Sequence, residues 1–339
     1  MAAAANGEGR KKDVRIRFTN DRIGYIFAVV AAALFGSVST VAKPIAPSMN
    51  PLLLSSVVYL IASAILAPVA YRKEIGVSSS SNKRILADAK DQKTIKRNYL
   101  LILAIAVSGG IIAPALYFAG LQSTTATDAT LLANGEIVFT VLIAIIFLKE
   151  KVKPLGYIAI LLVLIGLFIV TTNLHYSDSL FSARNYSGDL LILCSTLFWA
   201  IDNSISKLAI QRISVAKAAQ LKSVIGGGAL LIIALSVLGT ASFFNNIISV
   251  TPKVLASIVI LGAASFGASL YFFLQTIKRL GAVRAVLLLS LSSVFGVMFA
   301  VFFLGEPISI FQIIAAAIML VGIYIINRRD ASITLAKDF

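Results

Sequence analysis

Ten apolar runs of membrane-spanning length, most of them joined by short connections, constrain this chain more than any other feature. They cover about 23–42, 51–71, 99–120, 128–148, 154–172, 188–208, 216–237, 254–276, 283–304 and 309–327. A helix needs about 20 apolar residues to cross the hydrocarbon core, whereas a membrane barrel shows only alternation over short strands. With 13% charged residues in 339, against roughly 25% in ordinary soluble domains, the chain has too little polar surface to cover a soluble fold. The runs therefore predict an all-α polytopic membrane protein of ten transmembrane helices, successive helices running antiparallel. Three stretches, 72–98, 173–187 and 238–253, read as longer polar loops.

The basic residues give the orientation. Arg10, Lys11 and Lys12 precede the first run, but no apolar segment follows until after Arg22, so that run reads as a retained helix and not as a signal peptide. With the N-terminus in the cytoplasm, every one of the 30 Lys and Arg except Lys43, Arg184 and Lys253 falls inside, as the positive-inside rule requires. Both termini are then cytoplasmic in a protein of the cell membrane. The formal charge of +15 is an orientation signal, since these residues flank spans and carry no recognition pattern for nucleic acid. The expected partners are the lipid bilayer and a small-molecule substrate, with a monomer or weak homodimer as the assembly. Cys194 and His175 are each the only residue of their type, which leaves no disulfide framework, no metal site and no reactive cluster for an enzyme.

The apolar pattern is duplicated. Phe147-Leu148-Lys149-Glu150, sixteen residues before Gly166, is echoed by Phe303-Leu304-Gly305-Glu306, sixteen residues before Gly322. The chain divides into a basic tail (1–22), a five-helix repeat (23–172), an external linker (173–187), a second five-helix repeat (188–327) and a cytoplasmic tail (328–339). Five is odd, so the repeats are inverted in the membrane, an arrangement that commonly builds carriers with a midplane site. Glu150 then lies at the inner face and Glu306 at the outer one. They suit either two gates or plain helix-end capping.

Polar residues within the runs are the candidate site. Trp199, Asp202 or Asn203, and Ser206 share one helical stripe, and Lys222 lies at a matching depth in the next helix. Asp202 and Lys222 read as a buried ion pair fixing the hairpin, as a charged element of the substrate or proton path, or, if the boundary differs, as a lysine snorkelling to the interface. Glu136 follows Asn134 and Gly135 in mid-helix, and an offset of 156 residues pairs it with Ser292, between Ser290 and Ser293. A mid-membrane glutamate must be protonated, paired or facing water, which makes Glu136 a candidate for proton or cation coupling. Pro114 is a candidate kink, and Leu116-Tyr117-Phe118 and Leu270-Tyr271-Phe272 are candidate repeat partners. Phe35, Tyr59, Tyr117, Trp199 and Tyr271 are candidate cavity walls, with Ser39, Gln220 and Ser265 as candidate polar lining. The fifth helix of each repeat is nearly featureless and reads as scaffold.

These residues resemble the EamA family of the drug/metabolite transporter superfamily. The likeness rests on Leu34-Phe35-Gly36 and Leu197-Phe198-Trp199-Ala200 in the first helix of each repeat. The fourth helices end in Leu148-Lys149-Glu150 and Leu304-Gly305-Glu306, and the fifth carry Gly166 and Gly322. The family's Glu-Pro-Val-Phe aligns with Glu136-Ile137-Val138-Phe139 and Ser292-Ser293-Val294-Phe295, both without the proline, and Lys149 stands where the family has glycine. The resemblance implies a central cavity between helices 1–4 and 6–9, with helices 5 and 10 at the periphery. The expected function is secondary transport of small organic metabolites (amino acids, amines or drug-like compounds) by alternating access in the efflux direction, without a cofactor and coupled to H+ or to substrate exchange. The alternatives are an exchanger of anionic metabolites such as nucleotide sugars or sugar phosphates, and a lipid flippase.

Overall fold

The computed structural model describes residues 2–71, 92–147, 154–172, 186–210, 214–248, 250–280, 285 and 288–327. Among them are helices and connecting turns and no strand. Helix α1 runs Ala2–Ala42, so its backbone is helical through the expected tail as well as the first apolar run. A 3-10 turn, Ala46–Ser48, leads to α2, Pro51–Tyr71. Helix α3, Gln92–Ile105, passes through a π-helical stretch, Ala106–Ile112, into α4, Ala113–Ser123. The fourth run is α5, Ala126–Leu132, and α6, Gly135–Ile146; the fifth is α7, Pro154–Thr172.

The second half repeats this order. It comprises α8, Ser187–Ile210, and α9, Val215–Ile248. Helix α10, Pro252–Ile260, passes through a π stretch, Leu261–Ala268, into α11, Ser269–Leu280. Helices α12, Leu291–Leu304, and α13, Ile310–Asn327, complete it. Seven stretches of the described chain are long and apolar enough to cross a membrane, and Pro154–Val170, Leu291–Leu304 and Ile310–Ile325 are shorter apolar helices.

Three features depart from the sequence reading. The fourth run is not one helix: the chain breaks at Ala133–Asn134, although no proline is present. Asn134 satisfies the break itself, its side-chain Nδ2 donating to the Leu131 carbonyl at 3.0 Å while its Oδ1 accepts from Ser293 Oγ at 2.9 Å. Pro114 is not a kink within a regular helix either. It sits in the first turn of α4, directly after the π stretch, in a backbone that stays helical throughout. Finally, α9 continues beyond residue 237 through a kink at Gly239 (φ 71°), so the stretch read as a polar loop at 238–253 is helical as far as Ile248. Burial of Phe243 against the main core gives that segment an apolar anchor.

The halves interlock. Helix α1 packs on α11 and α12, α2 on α9, α4 on α8, α6 on α8, and α7 on α13. Exchanging the halves maps these contacts onto one another, as a two-fold relation between repeats demands. Direction follows from the helix ends: Lys43, just past α1, donates to the Leu121 carbonyl at the end of α4 and to Thr124, and Thr124 Oγ1 donates to Asp189 at the start of α8. The end of α1 and the beginning of α8 share one side, so these corresponding helices run oppositely.

Candidate functional site

Close backbone contacts set the site's geometry. Gly109, in the first π stretch, lies against the Asp202 side chain, where an added methyl would fall 2.7 Å from Asp202 Cβ. One residue on, Gly110 packs on α9: a methyl on Gly226 would meet the Gly110 carbonyl at 2.6 Å. A π stretch widens the helix and shifts its register by one residue, and here it is backed by two glycines. Helices α8 and α9 can therefore both press on α3–α4, which brings Asp202 and Lys222 together in a salt bridge, with Ser206 Oγ 3.3 Å from the other Asp202 oxygen.

Above the ion pair lies a layer of rings. Phe35 meets Trp199 and Phe266 edge-on at 6.3 Å and 6.2 Å between centroids. Tyr59 lies 5.4 Å from Phe266, and Tyr117 5.3 Å from Trp199. The Tyr59 hydroxyl donates to the Gly109 carbonyl at 2.8 Å, so its ring is fixed both by packing and by a polar bond.

On the N-terminal side of this layer is a cavity of about 640 Å³, counting its mouth. Phe35, Tyr59, Trp199 and Phe266 form its roof. Glu136, Asp202, Asn203, Lys222, Ser223 and Ser269 supply polar walls, and Ala62, Leu270, Phe273 and Leu289 apolar ones. Asn203 Nδ2 donates to Glu136 Oε1. A second space of about 310 Å³ shares Phe35, Glu136 and Leu289 and is lined by Asn134, Ser290, Ser292 and Ser293. It lies at the two points where the fourth helix of each half is interrupted.

Beyond the rings the structure is tied shut. Ser39 is hydrogen-bonded to Thr130. Glu306 is turned inward by Gly305, a left-handed helix cap (φ 65°) of the kind glycine favours. Its carboxylate accepts from the Ala126 and Thr127 amides, both at 2.9 Å, and from the Thr127 hydroxyl at 2.7 Å. A carboxylate on the free N–H groups of a helix start is favoured by both charge and hydrogen bonding. Burial lowers the pKa of Lys43, and the nearby Glu306 charge opposes that shift. Gln312 donates to the buried Asp128 at 2.8 Å, tying α13 to α5.

Residues 22–172 and 186–328 each match the EamA-like transporter family. The chain belongs to that family. It is a multi-pass membrane transporter of the drug/metabolite superfamily, and this membership speaks against an enzyme. An uncharacterized transporter of Methanothermobacter thermautotrophicus is 31% identical, aligned over 89% of this chain and 85% of its own. Another from Clostridium kluyveri is 26% identical over 88% and 91% of the two chains, and the uncharacterized transporter YyaM of Bacillus subtilis is 23% identical over 70% and 76%. A solved crystal structure aligns with 90% of this chain and 96% of its own at a TM-score of 0.61 and 15% identity, a likeness of fold alone.

In this EamA-like transporter the structure gathers Phe35, Tyr59, Glu136, Trp199, Asp202, Asn203 and Lys222 around the larger cavity, and Asn134, Ser290 and Ser293 around the smaller. Tyr117 is buried behind Trp199. Ser265 bonds Ser37 at 2.7 Å, Gln220 bonds Ser63 at 3.3 Å, and Tyr271 packs 5.5 Å from Phe272; none of these lines either cavity. Glu150 lies outside the described residues. Sequence reasoning missed Ser223, Phe266, Ser269, Phe273 and Leu289. For Ser269 a signal existed, because Ser265 and Ser269 stand four residues apart on one helical face, whereas Phe266, Phe273 and Leu289 look like any other apolar span residues.

Proposed function

We propose that this transporter moves small organic metabolites, among them amines, amino acids or drug-like compounds, out of the cell by alternating access. The observation that carries the reading is the cavity where the two halves meet. It brings Glu136, Asp202 and Lys222, all from the apolar spans, together with Phe35, Tyr59, Trp199 and Phe266. Charged groups within such spans are costly and belong to substrate or ion paths. In this reading the chain has ten spans, in two inverted five-helix repeats, with both termini cytoplasmic in the cell membrane. The described conformation is then the inward-facing one, and the Glu306 and Lys43 bonds form the closed outer gate. Glu136 couples transport to protons or to exchange. Among the described residues, the charged groups within electrostatic reach of Glu136 are Asp202 and Lys222. The anionic-metabolite alternative needs cations available to substrate, and Lys222 is already held by Asp202.

Counterflow in proteoliposomes tests this with a panel of amines, amino acids, nucleosides and sugar phosphates under an imposed pH step. Saturable, trans-stimulated flux of at least one member is expected. Glu136→Gln should remove any response to the pH step, and Asp202→Asn should slow flux by an order of magnitude or more. Non-saturating flux, or flux whose pH response survives in Glu136→Gln, would overturn the carrier reading or the coupling role respectively.

A further inference from the structure

The charge balance of the larger cavity narrows what it can hold. Two carboxylates, Glu136 and Asp202, face it with one ammonium, Lys222, among the described residues. Lys222 bonds one oxygen of Asp202, and Ser206 approaches the other, so this pair is satisfied and carries no net charge. Glu136 receives Asn203 on Oε1. Among the described residues its Oε2 takes no hydrogen bond, and Glu136 lines the cavity. The space therefore presents a carboxylate oxygen beside Phe35, Tyr59, Trp199 and Phe266, whose ring faces attract cations.

From this juxtaposition we propose that the cavity binds monovalent organic cations: a protonated amine against Glu136, with an aromatic or apolar body under the ring layer. The inference rests on reading this cavity as the substrate site. An anion would bring a like charge into a poorly solvated space. A zwitterion would satisfy Glu136 with its ammonium, but its carboxylate would have to compete with Asp202 for Lys222, leaving one buried carboxylate unpaired. Only the cation neutralises the site without breaking a bond already present.

Trp199 is the only tryptophan in the chain and roofs the cavity, so its fluorescence reports occupancy without transport. Phenethylamine, phenylalanine and 3-phenylpropanoate share one aromatic body and differ in charge. Titrated into the purified full-length protein, with equilibrium dialysis of radiolabelled ligand as a second readout, phenethylamine should bind saturably and at least tenfold more tightly than the other two. Glu136→Gln should weaken it tenfold or more, and Glu136→Asp should restore part of the affinity. Thermal melts of both variants show that they are folded. Phenylalanine or phenylpropanoate binding as tightly as the amine, amine affinity unchanged in Glu136→Gln, or no binding of any probe by either readout would overturn the inference. Counterflow separates the two claims. Carriage of phenylalanine but not of phenethylamine keeps the carrier and removes the cation site. Selective amine binding without any flux keeps the site and removes the carrier.

Discussion

Glu306 shows how one side chain can tie two distant helix ends together. Its carboxylate takes three hydrogen bonds from the start of α5, a segment some 180 residues earlier in the chain, and Gly305 supplies the left-handed turn that aims it there. Replacing the carboxylate by an amide keeps the shape but removes the charge assistance, a loss of about 1–2 kcal/mol, or roughly five- to thirtyfold in the ratio of tied to untied states. Ser39 lies behind this latch, buried and bonded to Thr130. In a Cys194→Ala background carrying Ser39→Cys, a membrane-impermeant maleimide added outside should label Glu306→Gln several times faster than the parent. Equal rates would mean that Glu306 caps a helix and gates nothing. The sequence placed Glu306 at a membrane border. It did not disclose the partner, because a helix N-terminus offers backbone amides, which leave no side-chain signature.

At the scale of elements, each half interrupts the same two helices. The third carries a π stretch, Ala106–Ile112 or Leu261–Ala268, and the fourth breaks at Asn134 or Ser290, residues with nearly equal dihedrals (φ −64°, ψ −15°; φ −61°, ψ −18°). Freed backbone groups at membrane depth are tolerated only where side chains or neighbouring helices satisfy them. Asn134 does so locally and is itself held by Ser293 from the other half. Absence of the proline from both motifs removed the sequence signal for unwinding. The break was illegible because it depends on a contact 159 residues away. The Asp202–Lys222 pair was legible for the opposite reason, since two charges at matching depth on adjacent antiparallel helices have few other partners. Ser293→Ala leaves Asn134 Oδ1 without its donor and should cost about 1–3 kcal/mol. Thermal melts of Ser293→Ala, Asn134→Ala and the double variant should show a coupling energy of at least about 0.5 kcal/mol; strictly additive losses would mean that the two breaks are independent.

For the whole molecule, the repeated glycines that first marked the duplication turn out to lie in one seam, each packed on the opposite helix. Helices α7 and α13 pack antiparallel and line neither cavity, their nearest approach being Met319 Sδ at 3.7 Å from Asn134 Nδ2. A methyl on Gly322 would lie 2.8 Å from the Ala159 carbonyl, and one on Gly166 would press on Met319 and the Ala315 carbonyl. Small residues at such crossings let helices approach closely where lipid provides no hydrophobic drive for association. This seam joins the halves without touching Glu136, Asp202 or the ring layer, so stability and substrate binding should separate there. Overpacking the seam with Gly166→Leu should lower stability by about 1–3 kcal/mol, and adding Gly322→Leu should cost less than the sum of the two single changes, because either one already separates the same pair of helices. Amine affinity followed through Trp199 should stay within a factor of two in each variant. An affinity that falls in step with the melting temperature would instead make the seam part of the binding equilibrium, with α7 and α13 moving as the halves exchange conformations.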